Sequence, residues 1–240
     1  MKNARALRAG FSLIEMLVAL GIIGVISTIV FVSQSSFDKT IILTNTAYDV
    51  ALTIRNIETY GLGSRAVEFE GTTIKNAGHG VHFASANTSS FSTFVDSSPI
   101  ALLKNPPDCN PPRDEDAKDA PDAHPGDCVF TVEKDILVQT FTLGNGVKIA
   151  KFCTTVDGTS WKCSTDESNP LTSLDITFVR PNADITMVTK TYKKNFEIVS
   201  ACIVLTARGG TRYITTHRSG LITVSVTVPA ESTCEPQPQP

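Results

Sequence analysis

The sequence predicts an α+β fold in which one long N-terminal helix packs on antiparallel β-sheets. Residues 11–60 combine an apolar run with an amphipathic stretch, which together indicate one continuous helix of roughly 75 Å. From residue 61 onward, apolar and polar residues alternate in short segments that end at glycine or proline. Short turns between consecutive strands favour antiparallel pairing, because parallel strands need long crossover connections.

Residues 1–10 form a polar leader that precedes the helix. The leader contains Lys2, Arg5 and Arg8 and no acid, and positive charge of this kind keeps its side of a membrane segment in the cytoplasm. The apolar run at residues 11–32 is long enough to cross a bilayer core. We therefore expect a single-pass membrane segment that is followed by an extracytoplasmic C-terminal domain.

Two simpler interpretations of this N-terminus compete with that expectation. A secretory signal peptide also begins with positive charge, but its apolar core is only about 7–15 residues long and a small-x-small cleavage site follows it. This apolar run is longer, and no such site follows it. A plain membrane anchor explains the length and the orientation of the run but gives no reason for an acid inside it.

Glu15 is the only ionisable side chain in the apolar run. A charged acid at the centre of a membrane helix costs about 2.5–3.5 kcal/mol on insertion scales, so it calls for a partner. Cleavage after Gly10 would make Phe11 the N-terminus and create an amine one helical turn from Glu15. The same amine on a neighbouring copy is the second candidate partner.

The segment from Gly10 to Leu20, GFSLIEMLVAL, resembles the type IV prepilin N-terminus. In that family a prepilin peptidase cuts after the glycine and methylates the new N-terminal residue. The resemblance implies a type IV pilin-like fold, a mature chain that begins at N-methyl-Phe11, and Glu15 as the assembly glutamate. The implied partners are other pilin or pseudopilin subunits, the prepilin peptidase, the inner-membrane assembly platform and the membrane itself. The implied location is the bacterial inner membrane, with the assembled filament in the periplasm or at the cell surface.

The second half of the predicted helix carries an apolar stripe that should pack on a sheet, and Gly61 and Gly63 should end the helix. The β-rich domain is expected at residues 61–234, with Gly144-Asn145-Gly146 as a hairpin turn. The stripe consists of Ile42, Ala47, Val50, Ala51, Ile54 and Ile57. The predicted strands are residues 67–69, 81–83, 91–95, 129–132, 136–143, 147–152, 174–178, 185–188, 198–205, 212–216 and 221–228.

The C-terminal strands from Leu174 to Val228 are similar to the end of GspH/FimT-like minor pseudopilins. Those domains finish in a strand, a glycine-containing turn and a final strand, as residues 211–224 do here. This resemblance implies a minor pilin or pseudopilin. Glycine-turn hairpins are common in other β-proteins, so an unrelated hairpin is the alternative.

All six cysteines follow the predicted membrane segment, and an even number of cysteines beyond an exported anchor indicates disulfides in an oxidising compartment. Six cysteines allow 15 pairings. We expect the pairing whose first two bonds close local loops, and free buried thiols are the alternative. A zinc site is disfavoured because no Cys-x-x-Cys unit is present. The expected bonds are Cys109–Cys128, Cys153–Cys163 and Cys202–Cys234.

Two segments lack core character. Residues 104–127 form an insertion rich in proline and aspartate, and residues 235–240 form a Pro/Gln tail. The acids of the insertion are of the type that binds calcium. The EF-hand spacing is absent, however, and Arg113 and Lys118 interrupt the acidic run, which favours a solvated loop. No cofactor and no metal site are predicted.

The sequence lacks the motifs of common enzyme classes, so no catalytic residue is predicted. Charged residues make up 19% and hydrophobic residues 41% of the chain, which favours a folded protein. The formal charge of −3 becomes −6 when the three leader cations are lost, and this balance disfavours a generally nucleic-acid-coated protein.

One basic island, residues 180–218, suggests a second function. It holds seven basic residues against two acids, and some FimT-like minor pilins bind DNA during natural transformation. A DNA-binding minor pilin of a competence pilus is therefore the alternative function, with Arg208, Arg212 and Arg218 as candidate phosphate contacts. The Gly-Arg motif of those pilins is not reproduced, because Leu221 follows Gly220. Ordinary strand-surface charge is the favoured interpretation.

Overall fold

The computed structural model describes the long helix and most of the β-domain. The described residues are 12–63, 66–69, 72–74, 77–97, 126, 128–132, 134–179, 185–189, 198–227 and 234, without the side chains of residues 30–38, 69 and 72. The expected leader, most of the Pro/Asp-rich insertion and the Pro/Gln tail lie outside this set.

Helix α1 runs from Leu13 to Leu62, a length of 50 residues. Ser12 is its N-cap, with an extended backbone (φ −76°, ψ 151°) and a hydroxyl that accepts a hydrogen bond from the Glu15 amide. At the other end the Gly63 amide donates to the Thr59 carbonyl at 3.0 Å. The helix therefore begins two residues later and ends two residues later than the predicted range.

The described residues of the β-domain form two five-stranded sheets and one two-stranded sheet, and every strand pair among them is antiparallel, as the sequence predicts. Sheet I has the order β5-β4-β3-β8-β9, sheet II has the order β12-β11-β10-β6-β7, and β1 pairs with β2. The strands are β1 Val67–Phe69, β2 Thr72–Ile74, β3 Gly78–Ala84, β4 Ser90–Asp96, β5 Ile136–Thr142, β6 Lys148–Thr155, β7 Trp161–Cys163, β8 Ser173–Phe178, β9 Thr186–Val188, β10 Ser200–Ala207, β11 Gly210–His217 and β12 Ile222–Ser225.

The second half of α1 packs against strands of both large sheets. Its buried residues recur every three or four positions, which places them on one face of the helix. The predicted stripe is largely confirmed, although Leu43 is buried while Ile42 and Ala51 are only partly buried. The buried stripe is Leu43, Ala47, Val50, Ile54 and Ile57, and it faces a core that includes Val81, Phe83, Ile176, Phe178, Ile203, Leu205 and Ile214.

Two close approaches fix the helix on the sheets. At its end, Gly61 lies so near Phe178 that a Cβ would be 2.7 Å from the Phe178 Cβ. Nearer its middle, the buried Arg212 guanidinium donates to Thr44 Oγ1 through Nε at 3.1 Å and through Nη2 at 2.9 Å. These contacts hold opposite ends of the domain-bound half of α1.

Two of the predicted local structures are wrong. Residues 129–132 do not form a strand. Instead, the Phe130 ring packs on the outer face of sheet I, with its centroid 5.2 Å from that of Phe94. Nor do β5 and β6 form a hairpin: β5 is an edge of sheet I and β6 pairs with β10 and β7 in sheet II. The glycine turn at residues 144–146 is a corner that leads from sheet I to sheet II. The same turn residues suit a corner and a hairpin, so the sequence did not distinguish the two. The short strands β2 and β7 were not predicted.

Candidate assembly site on the N-terminal helix

The first half of α1 has a different surface from the second half. Its large apolar side chains are exposed on all sides of the helix, from Leu13 at 81% to Ile29 at 66%. A helix that is apolar all round is normally buried in lipid or among other helices. The described residues contain no partner that covers this half of α1. Its exposed members are Leu13, Ile14, Met16, Leu17, Val18, Leu20, Ile22, Ile23, Val25, Ile26 and Ile29.

Glu15 lies in the first turn of this apolar half. Ser12 and Glu15 have the spacing of a capping box, and the Glu15 amide donates to Ser12 Oγ at 3.3 Å. The exposed Glu15 side chain forms no ion pair within the described part of the chain. An acid in the first turn is favoured by the helix dipole, but that gain does not offset the free-energy cost of transferring the charged carboxylate into an apolar environment.

The predicted cleavage and methylation residues, Gly10 and Phe11, lie outside the described residues. Ser12, the residue that follows them, has an extended backbone and is the N-cap of α1. Over the residues that the structure describes, no helix is long and apolar enough to cross a membrane.

Disulfides link the strands of sheet II to each other and to the C-terminal segment. Cys153 is bonded to Cys163, and Cys202 is bonded to Cys234, which are two of the expected pairings. The first bond joins facing residues of β6 and β7. Cys128 is also disulfide-bonded, and Cys109, its expected partner, lies outside the described residues.

The structure does not bring the three candidate DNA contacts together. Arg208 is exposed in the β10–β11 turn, and Arg218 follows the other end of β11. The eight residues of β11 separate these two arginines by about 26 Å. Arg212 is only 6% exposed and is engaged with Thr44, so its assignment as a DNA contact is corrected to a structural one. Lys190, Lys193 and Lys194 of the same island lie outside the described residues.

One histidine and one buried acid of the β-domain contact each other. His82 Nδ1 lies 2.6 Å from the buried Asp175 carboxylate, and Phe130 covers this pair with its ring 4.8 Å from the imidazole. The described residues contain no group of three histidine, cysteine or acidic side chains that would hold a metal ion. The acids of the Pro/Asp-rich insertion lie outside the described residues.

Comparison with known families decides the nature of the N-terminal segment. The family described as the prokaryotic N-terminal methylation motif matches residues 5–31. The chain carries the prepilin-type signal of type IV pilins and pseudopilins. No curated protein and no solved structure matches the chain significantly.

The prepilin-type signal marks a pilin-like or pseudopilin chain that is a substrate of prepilin peptidase. Its general partners are that peptidase and other pilin subunits, and the signal implies membrane anchoring before assembly into a filament. The long helix followed by antiparallel sheets is consistent with a pilin-like fold.

Sequence reasoning missed two structural features of this helix. Ser12 as the N-cap was detectable, because Ser-x-x-Glu directly before an apolar run is a capping-box pattern. The contact between Thr44 and Arg212 was not detectable, because the two residues are 168 positions apart and only the tertiary fold brings them together.

Proposed function

We propose that the protein is a minor pilin or pseudopilin, a non-enzymatic subunit of a type IV pilus or a type II secretion pseudopilus. The observation that carries this proposal is the apolar half-helix, which is exposed on all sides and begins with Glu15 inside the prepilin-type signal. The minor role is supported by the resemblance of the C-terminal strands to GspH/FimT-like subunits. The arrangement of the three candidate arginines gives no support to DNA binding.

Processing would release the leader and prepare the helix for assembly. We propose that prepilin peptidase cleaves between Gly10 and Phe11 and methylates the Phe11 amine. Residues 11–32 would then anchor the subunit in the bacterial inner membrane, with the β-domain outside the cytoplasm. The disulfides on β6 and β10 support this orientation, because such bonds persist in oxidising compartments.

Assembly would place the Phe11 amine of one subunit beside Glu15 of its neighbour. Burying the two opposite charges together costs less than burying either alone. The pair would define the axial register between subunits, while the apolar side chains around Glu15 pack between helices. The inner-membrane assembly platform would lift each subunit from the bilayer into the filament.

Replacement of Glu15 tests this mechanism in cells that carry the prepilin peptidase and the other filament subunits. Glu15→Ala and Glu15→Gln should both be cleaved normally, because the cleavage site is intact, yet fail to enter filaments, because the amine loses its counter-ion. Asp49→Ala is the matched control, since Asp49 is an exposed acid on the same helix. Immunoblots of membranes and of sheared filaments measure cleavage and incorporation. Normal incorporation of Glu15→Gln would contradict the charge-pairing mechanism.

A further inference from the structure

The β10–β11 turn lies against the point where α1 leaves the β-domain. A Cβ at Gly209 would be 2.7 Å from the backbone of Lys39 and Thr40, and Thr40 Oγ1 donates to the Gly209 carbonyl at 3.4 Å. Arg208 is exposed in the same turn, and Lys39 is half-buried beside it. Two cations therefore lie at the end of the domain from which the apolar half of α1 extends.

Other turns complete this end of the domain. Lys148, the first residue of β6, pairs with Thr206 beside the β10–β11 turn and is exposed. The turn at residues 85–89 is joined to the same end, because the Ile149 amide donates to the Thr88 carbonyl at 2.7 Å. We call the surface formed by Lys39, residues 85–89, residues 143–148, Arg208 and Gly209 the helix-exit face.

The charged side chains of the helix-exit face are all basic, and the loop at residues 164–172, which carries Asp166 and Glu167, borders the face where the Ser85 amide donates to the Thr172 carbonyl at 2.9 Å. The only charged side chains of the face itself are those of Lys39, Lys148 and Arg208, and none of the three forms an ion pair within the described residues. The turns SANTS at residues 85–89 and LGNGV at residues 143–147 contain no charge. The nearest acid in sequence is Asp38, whose side chain lies outside the described residues.

The opposite end of the domain carries both signs of charge. There Arg55 pairs with Glu58 at 2.8 Å and donates to the Gly220 carbonyl at 3.0 Å. Lys134 and Asp135 precede β5 at that end, and the Asp135 carboxylate accepts a hydrogen bond from the Ser97 amide. Among the described residues, the three cations of the helix-exit face thus lie at the end of the domain from which α1 continues toward its apolar half.

The position of this face follows from the proposed function, on which the inference rests. Lys39 lies seven residues beyond Val32, the end of the proposed membrane segment, or about 10 Å along a helix. The headgroup layer occupies about 5–7 Å of that distance, and charges interact over about 8 Å at physiological ionic strength. The face is also tethered to the bilayer by its own helix, which raises its effective concentration at the surface.

We propose that, before assembly, the helix-exit face binds the anionic phospholipid surface of the membrane that holds α1. The ligands are headgroup phosphates, which Lys39, Lys148 and Arg208 contact electrostatically. Each such cation favours an anionic surface by about fivefold. This contact orients the β-domain on the bilayer and is broken when the subunit is lifted into the filament.

Lysine acetylation tests this contact on the full-length mature chain. The chain is placed, at no more than one copy per disc, in nanodiscs of phosphatidylcholine or of equimolar phosphatidylcholine and phosphatidylglycerol, and acetylation rates are measured by mass spectrometry. We expect anionic lipid to slow acetylation of Lys39 and Lys148 by about fivefold, with high salt reversing the effect. Lys134 and Lys162, which are exposed elsewhere, serve as internal controls and should not change.

Charge reversal sharpens the test. In Lys148→Glu/Arg208→Glu, Lys39 should lose most of its lipid-dependent protection, whereas Lys134→Glu/Lys162→Glu should retain it. Equal acetylation rates in the two lipids would overturn the proposal. So would protection that appears only with two copies per disc, which would indicate a neighbouring subunit, or only on addition of DNA. A chain that fails to enter either nanodisc would instead contradict the proposed membrane anchoring.

Discussion

The contact between Thr44 and Arg212 should be a principal link between α1 and sheet II. Thr44 Oγ1 accepts two hydrogen bonds from a guanidinium that is only 6% exposed, and the hydroxyl itself donates to the Thr40 carbonyl at 2.8 Å. Thr44→Val keeps the side-chain volume but removes the acceptor. Within the described part of the chain, the buried charge then keeps only its bond to the Thr211 carbonyl at 2.8 Å.

The expected loss follows from the cost of an unsatisfied buried charge. Hydrogen bonds to charged groups contribute about 1.5–3 kcal/mol, so Thr44→Val should lower the free energy of unfolding by about 2–3 kcal/mol. For a domain of this size, that corresponds to a decrease in Tm of roughly 5–10 °C. Arg212→Met should change stability by about 1 kcal/mol or less, because an apolar side chain of similar length removes the charge together with its requirement for partners.

The stability of the double variant relative to Thr44→Val makes the test specific. Thr44→Val/Arg212→Met should be more stable than Thr44→Val alone, because the second change removes the charge that the first leaves unsatisfied. Thr53→Val is the matched control, since the Thr53 hydroxyl donates only to the Asp49 carbonyl of its own helix. Unfolding of the full-length protein in detergent, followed by circular dichroism, measures all four variants. Equal losses for Thr44→Val and Thr53→Val would refute the reasoning.

Three further perturbations probe the β-domain. Cys202→Ala/Cys234→Ala should lower stability by about 4 kcal/mol in denaturant titrations, because the bond closes a segment with a sequence separation of 32. Gly61→Ala should lower the free energy of unfolding by about 1–2 kcal/mol, since the new methyl group would collide with Phe178, and this steric cost exceeds the gain in helix propensity. Backbone amides of Ser160 and Thr159 hold the pKa of the Asp157 carboxyl below its usual value. That stabilisation is present above pH about 4 and is lost as the pH falls further, so Asp157→Asn should flatten the acid limb of a stability–pH curve.

Each of these predictions has a result that would contradict it. The disulfide prediction is wrong if the double alanine variant unfolds at the same denaturant concentration as the parent. An unchanged or higher stability of Gly61→Ala would show that the end of α1 does not approach Phe178 as closely as described. An acid limb of unchanged steepness in Asp157→Asn would exclude the carboxylate as a contributor.

Periodicity in the sequence was sufficient to predict the helix and most strands. The apolar spacing from Ala47 to Ile57 has the 3.6-residue period of a packed helix, and alternation in residues 174–178 and 212–216 identified β8 and β11. These patterns are local, because each arises from the face that a residue presents within its own element.

The pairing of strands was less predictable because it depends on contacts between distant residues. The turn at residues 144–146 looks the same whether β6 returns beside β5 or crosses to β10. Residues 129–132 have the composition of a strand, but their position is decided by the rings of Phe94 and His82 beneath Phe130. Tertiary packing overrides local preference in both cases.

Sequence analysis predicted those features of the candidate assembly site that depend on neighbouring residues in the chain. Glu15 stands out because one acid interrupts an apolar run, and the structure adds the Ser12 cap and the all-round exposure of the surrounding side chains. The basic helix-exit face was not predicted, since Lys39, Lys148 and Arg208 are far apart in sequence. The pairing of β6 with β10 and the packing of α1 on the β10–β11 turn bring them to one end of the domain.

The mass of the native N-terminus tests the central claim most directly. The protein is isolated from membranes or filaments of cells that carry prepilin peptidase, and its N-terminal peptide is sequenced by mass spectrometry. The proposed function predicts a mature chain that begins at Phe11 and carries one methyl group on its amine. A chain that retains Met1, or that is cleaved at any bond other than Gly10–Phe11, would contradict it.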